Sequence, residues 1–201
     1  MSLRRRAALA AAGLATVAAL ALSGCSSDPL AEQYRAGTNK GYIAGDGSVT
    51  EIPAAKRGQP VEFSGTTADG HAVSSDDYAG KVVVLNFWYA GCAPCRAEAP
   101  DLARLSDEFD GKGAQFLGVN VRDQAASVTA FNASYGIRYP SVVDVNDGSM
   151  QLAFSGTIPP NAVPTTLVLD ASGRVAARIL GQLEAPSILE TLVRDTIAEA
   201  G

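Results

Sequence analysis

Apolar positions run without alternation from Val82 to Phe87, interrupted only by Asn86, the pattern of a strand buried on both faces of a sheet. From Ala93 the spacing becomes helical. Leu102, Leu105 and Phe109 share one face, and Gly111 and Gly113 stop the pattern, so a helix is predicted from about Ala93 to about Phe109. A second buried strand is predicted over Gln115–Val121. A helix over Gln124–Tyr135 follows, apolar at Ala125, Val128, Phe131 and Tyr135 and ended by Gly136. A short strand over Ser141–Val145 leads into the turn Asn146-Asp147-Gly148, and a helical piece near Ser149–Phe154 precedes a loop with Pro159 and Pro160. Leu167–Leu169, the turn Asp170–Gly173 and Val175–Leu180 read as an antiparallel hairpin, and Pro186–Ile197 as a closing amphipathic helix. Upstream, Val61–Phe63 and Ala72–Val73 predict a further small hairpin or edge strands joined at Asp69-Gly70. Strands alternating with helices, then a hairpin and a helix, give an α/β fold with a mixed central sheet flanked by helices.

The N-terminus follows a different grammar. Arg4, Arg5 and Arg6 precede an Ala- and Leu-rich run from Ala7 to Leu22, then Ser23, Gly24 and Cys25, which is the layout of an export signal. An uncleaved membrane anchor is the other reading, and either one places the rest of the chain outside the cytoplasm. From Ser26 to about Gly58 the chain is rich in Gly, Ser, Asp and Lys. It reads as a flexible tether holding at most a small hairpin, with Tyr42-Ile43 and Val49-Thr50 flanking Gly45-Asp46-Gly47. Sixteen Lys plus Arg against 21 Asp plus Glu leave a net charge of −5, and the leader takes three of the cations with it. So acidic a remainder argues against a nucleic-acid partner. It is also long enough to bury a full core without disulfide staples.

That frees Cys92 and Cys95 for chemistry. They sit in Trp88-Tyr89-Ala90-Gly91-Cys92-Ala93-Pro94-Cys95-Arg96-Ala97-Glu98-Ala99-Pro100, directly after the first buried strand. Ala93 and Pro94 suit a first helical turn, which puts Cys92 at a helix N-terminus, where unpaired N–H groups and the helix dipole favour the thiolate. Cys92 is the expected nucleophile. Cys95, three residues on, falls on the same face about 5 to 6 Å away, near the separation a disulfide needs. Lying inside the helix, it should be the more shielded of the two and so the resolving thiol. A zinc site needs four protein ligands if structural and three if catalytic, and only Cys25 and His71 remain, so no metal is expected. A purely structural disulfide would close too short a loop to restrict the unfolded chain. His71, beside the Asp69-Gly70 turn, reads as a solvated turn residue. Glu98, three positions past Cys95, shares the cysteine face of the helix. Buried there it would oppose thiolate charge and could accept the Cys95 proton; exposed, it would be an ordinary first-turn acid.

Gly80-Lys81 before the strand, Asn86-Phe87-Trp88, Cys92-Ala93-Pro94-Cys95, Glu98-Ala99-Pro100 and Val163-Pro164-Thr165 together resemble the membrane-tethered thioredoxin-fold proteins of the TlpA and ResA type, over about residues 59 to 199. Leu22-Ser23-Gly24-Cys25 separately resembles a bacterial lipobox. These likenesses imply a lipoprotein signal at 1–24, a tether at 25–58 and a thioredoxin-like domain at 59–201. The domain should carry an N-terminal hairpin extension and an inserted strand and helix. They imply lipidation at Cys25, a redox disulfide between Cys92 and Cys95, and pKa tuning and proton transfer by Glu98. They also imply a cis Pro164 that, with Val163 and Trp88, meets the substrate, and a helix bend at Pro100. Asn86 stands where many cytosolic thioredoxins carry a buried acid. No cofactor is implied. The implied activity is disulfide reduction on exported proteins, apocytochrome c among them, with a membrane thiol donor as partner. Ala93-Pro94, lacking His or acid, leans the same way, toward a reductant. A disulfide-forming oxidase, a peroxiredoxin-like peroxidase and a non-catalytic lipoprotein module are the alternatives. The peroxidase would want Pro and Thr or Ser ahead of its Cys, where this chain has Leu85 and Tyr89.

Overall fold

The computed structural model describes residues 49–159 and 162–200; the leader, Cys25, the expected tether up to Ser48, and Pro160 lie outside the described residues. Its elements in chain order are β1 (Val49–Glu51), β2 (Ser64–Thr66), β3 (Ala72–Ser74), β4 (Val82–Trp88), α1 (Ala93–Phe109), β5 (Ala114–Asn120) and α2 (Ala125–Tyr135). Then follow β6 (Ser141–Val143), α3 (Ser149–Ala153), β7 (Thr165–Leu169), β8 (Val175–Leu180) and α4 (Pro186–Ala198). One six-stranded sheet runs β1-β8-β7-β4-β5-β6, and β2 and β3 form a separate pair.

All seven residues of β4 are buried, as a strand with neighbours on both edges and both faces must be. It lies parallel to β5 and antiparallel to β7. Because β4, β5 and β6 are parallel and successive, right-handed crossovers put α1 and α2 on the same face. There Val82 and Val84 pack with Leu102, Leu105 and Phe109 of α1 and with Leu189, Leu192 and Val193 of α4. The alternate residues Val83, Leu85 and Phe87 face the opposite layer, built from Phe63, Tyr78, Met150 and Phe154. This alternation decides the site: Asn86 and Trp88 fall on the α1 side.

Three expectations are corrected. Val49–Glu51, read as tether, is the edge strand of the main sheet, with Val49 opposite Ile179 of β8. Arg57, its side chain 3 % exposed, then ties this segment down through Ile52 O at 2.9 Å, Asp170 at 3.1 Å and Glu199 at 2.6 Å. The sheet therefore takes in residues ahead of position 59. The upstream hairpin pairs Ser64–Thr66, not Val61–Phe63, with Ala72–Ser74. Phe63 instead enters the core beside Tyr78 and Phe154. Third, β6 stops at Val143, because the buried Asp144 carboxylate accepts from the Met150 amide at 2.8 Å and the Gln151 amide at 3.1 Å. Those bonds fold the chain into α3 after a single 3-10 turn over Asp144–Asn146. Elsewhere the predicted elements appear within a residue or two. Gly136 ends α2 in the left-handed region at φ 69°, a conformation glycine adopts without a Cβ penalty.

Candidate active site

β4 delivers the chain into the turn Tyr89-Ala90-Gly91 and then into α1. Cys92 is the N-cap of that helix, with extended backbone at φ −73° and ψ 113°, and Pro94 lies in the first turn, where its missing N–H leaves no partner unmet. The Cys95 amide points at Cys92 Sγ, 3.1 Å away, and the Arg96 amide donates to Cys92 O at 3.1 Å. A donor aimed at the sulfur and the positive end of a 17-residue helix both stabilise negative charge on Cys92 once the pair is reduced. Cys92 and Cys95 form a disulfide, with Cα atoms 5.2 Å apart. Their exposures are 3 % and 2 %. The expected contrast in shielding is thus absent in the closed form, since the turn before Cys92 wraps it as closely as the helix wraps Cys95.

Trp88 lies in the layer that carries the cysteines. It is 3 % exposed and stacks on Phe131 with ring centroids 4.1 Å apart, in a cluster with both cysteines, Ala99 and Val128. It supports the disulfide from within that cluster, as deeply buried as the cysteines themselves. Gly118 on the neighbouring strand makes room for it: a Cβ there would stand 3.0 Å from Trp88 Nε1 and 2.5 Å from Ser141 Oγ.

The Val163-Pro164 peptide bond is cis. Val163 is half-buried and packs against the cysteine cluster, while Pro164 O accepts the Gly181 amide at 2.9 Å, anchoring the loop to the end of β8. Across the site from Asn86, Glu98 is 2 % exposed. Its Oε1 accepts from Asn86 Nδ2 at 2.9 Å and its Oε2 from the Leu183 amide at 2.8 Å. Burial lifts its carboxyl from the ordinary 4.5 to about 7, against the opposing pull of the two donors. The solvated-acid reading of Glu98 is therefore excluded by its burial. α1 runs through Pro100 unbroken to Phe109. His71 stands apart, 80 % exposed on the hairpin turn and paired with Asp69 at 3.0 Å.

Sequence reasoning missed the residues that brace the turn. Ala90 N–H donates to Asp123 Oδ2 at 2.6 Å, Arg96 Nη1 donates to Ala90 O at 3.2 Å, and the Arg122 guanidinium lies 4.1 Å over the Tyr89 ring. Asn120, fully buried at the end of β5, accepts the Arg122 and Asp123 amides at 3.0 and 2.7 Å. An Asn at the end of a buried strand, with Arg122 and Asp123 two and three positions on, is the one available signal, because Asx side chains bond their own backbone two and three residues on.

Comparison with known proteins gives the same picture. Residues 58–178 match the model of the AhpC/TSA family. A curated thiol-disulfide oxidoreductase ResA of Geobacillus kaustophilus is 33 % identical over 144 residues, covering 71 % of this chain and 80 % of the relative. Among solved structures, a secreted thiol-disulfide isomerase from Corynebacterium glutamicum superposes with a TM-score of 0.68 at 30 % identity, over 78 % of this chain and 96 % of that one. A DsbF homologue from Corynebacterium diphtheriae does so with a TM-score of 0.64 at 33 % identity, over 75 % and 95 %. With a closed disulfide at the head of α1, the non-catalytic reading has nothing to stand on: the chain belongs to the AhpC/TSA family and, within its thioredoxin-fold members, is a thiol-disulfide oxidoreductase of the ResA type.

Proposed function

We propose that this enzyme reduces disulfides of exported proteins on the outer side of the membrane, held there by a lipid on Cys25. Cys92 thiolate attacks one sulfur of the substrate disulfide; a mixed disulfide forms, and the displaced substrate sulfur leaves as a thiolate that takes up a proton. Cys95 then loses its proton, attacks Cys92 Sγ, and releases the second substrate thiolate. Two electrons have passed from the Cys92/Cys95 dithiol to the substrate, and a membrane dithiol donor returns the pair to its reduced state. Glu98 takes the Cys95 proton in the resolving step. Val163, with Pro164, offers its main chain to an extended substrate segment, a mode of recognition that asks little of substrate sequence. That suits a range of partners, apocytochrome c with its haem-attaching cysteines included.

The observation that carries the direction is Glu98 buried on the helix that bears both cysteines. Once ionised, it opposes thiolate charge and so disfavours the reduced form, the opposite of the arrangement that makes a strong oxidant. Ala93 and Pro94 add no group that would offset it. Lipid attachment rests on Leu22-Ser23-Gly24-Cys25, which resembles a lipobox.

The test is the equilibrium reduction potential of the Cys92/Cys95 couple in residues 26–201. A value near or below about −250 mV supports a reductant, and one near about −120 mV assigns the enzyme to disulfide formation instead. Thiol-dependent peroxide consumption at an enzymatic rate would move the reading to the peroxidase.

A further inference from the structure

The turn Tyr89-Ala90-Gly91 makes one backbone bond within itself, from the Cys92 amide to Tyr89 O at 3.1 Å. Tyr89 and Ala90 also pack against the cysteine cluster, and the turn's remaining polar restraint comes from charged side chains on two other elements. Ala90 is held at both of its backbone polar groups: its N–H by the Asp123 carboxylate from the β5–α2 connection, its carbonyl by the Arg96 guanidinium from α1. Asp123 is itself fixed, since Oδ2 also accepts from Asn120 Nδ2 at 2.9 Å and Asn120 is fully buried. Arg122 covers Tyr89 on the same side. A charged partner makes a backbone hydrogen bond about twice as strong as a neutral one. Two of them on one residue, two positions before the redox sulfur, form a clamp.

What the clamp does depends on the oxidation state. In the closed form the disulfide already fixes Cys92 against Cys95. In the open form the turn, together with the Arg96 amide on Cys92 O, keeps Cys92 Sγ over the Cys95 amide, and freeing a turn residue releases backbone entropy that closing must take back. We propose that Asp123 and Arg96 are positioning residues of the redox reaction: by clamping Ala90 they keep the opened pair preorganised and raise the equilibrium constant for closing the disulfide. This rests on the Cys92/Cys95 couple being the redox site. Closing transfers two electrons and two protons from the two thiols to an oxidant; with glutathione disulfide as oxidant, one S–S bond forms in the enzyme and two glutathione thiols are released.

The experiment equilibrates the full chain with glutathione buffers and compares wild type with Asp123→Ala, Asp123→Asn and Arg96→Met. Each is measured below and above the pH at which alkylation of reduced Cys92 is half-maximal. Asn at 123 keeps an oxygen for the Ala90 amide and removes the charge; Ala removes both. Asp123→Ala is expected to lower the closing constant about tenfold at both pH values, a rise of about 30 mV in potential. Asp123→Asn is expected to stay within about threefold of wild type at the lower pH, where no thiolate is present for the lost charge to act on. Arg96→Met, at an exposed helical position, is expected to lower the constant about threefold and keeps the test open should Asp123→Ala fail to fold. Identical behaviour of the Ala and Asn variants would reduce the effect to charge and overturn the clamp. So would a lowered melting temperature with an unchanged closing constant, since that is all a merely structural bond would produce. Failure of wild type to form the Cys92–Cys95 disulfide would instead strike the redox reading on which the clamp depends.

Discussion

Replacing Glu98 with Gln tests the electrostatics of the site through stability alone, independent of any substrate. The carboxyl is 2 % exposed and its protonation midpoint stands at about 7 against an ordinary 4.5. Between those values the folded protein holds a proton that the unfolded chain has already released. Stability therefore falls as pH rises through that window: the contribution of the neutral carboxyl is complete below about 4.5 and gone above about 7. At about 1.36 kcal/mol per pH unit, the window is worth roughly 3 kcal/mol. Gln cannot ionise, and it can keep both contacts if its oxygen accepts the Leu183 amide and the Asn86 amide turns over to accept from its nitrogen. Urea unfolding of the oxidised wild type and Glu98→Gln at fixed ionic strength, from pH 4.5 to 8, gives the difference directly, because titrations shared by both proteins cancel. The variant should gain on wild type by roughly 3 kcal/mol across the series and be the more stable protein at pH 8. Curves that stay parallel to within about 0.5 kcal/mol would refute the raised protonation midpoint, and with it the account of Glu98 as a proton acceptor poised near neutrality.

Removing each cysteine in turn separates their roles. Cys95→Ser should accumulate mixed disulfides with substrate proteins on non-reducing gels and Cys92→Ser should not, whereas trapping by Cys92→Ser would reverse the assignment of nucleophile and resolving thiol. Gly118→Ala should cost about 1–3 kcal/mol in urea unfolding and alter the emission of Trp88, because the new Cβ falls 2.5 Å from the buried Ser141 Oγ and 3.0 Å from the indole nitrogen. Arg57→Ala should destabilise by about 1–3 kcal/mol by the same measurement, less than a stripped ion pair usually costs, since Asp170 retains Arg174 at 2.9 Å and two backbone amides.

Where sequence and structure agree, one physical property was written repeatedly along the chain. The run Val82–Trp88 is buried on both faces, so nearly every residue reports the strand. In α1, three or four turns of spacing report the helix. Where they part, the determinant is a single contact. β1 has three residues and one buried apolar side chain, too little for a period, and its partner β8 lies more than a hundred positions away. β2, Ser64-Gly65-Thr66, has no apolar residue to mark its inner face, so nothing separated it from Val61–Phe63. Asp144 ends β6 with two backbone bonds that resemble, in sequence, any acidic turn. The site divides the same way. The spacing of Cys92 and Cys95 was legible because a helix imposes it, whereas the burial of Trp88 and the reach of Asp123 to Ala90 depend on how α2 and its connection settle against the end of β4.

The position of the buried acid follows from this division. Asn86 and Glu98 face each other across the interface of sheet and helix, 2.9 Å apart, and the carboxylate is on the helix side. An acid on β4 would keep its distance from the thiols only as well as α1 keeps its seat on the sheet. An acid three residues after Cys95 is placed by the helix itself, where residues three apart have Cβ atoms about 5–6 Å from one another. The Leu183 amide, from the connection ahead of α4, then holds the second oxygen at 2.8 Å and ties the carboxyl to the end of the domain. Asn86, neutral and able to turn over its amide, can serve the carboxyl in either protonation state, donating to the anion and accepting from the acid. Such an arrangement keeps a partner for the carboxyl in both protonation states, which is what the proposed transfer of the Cys95 proton to Glu98 requires.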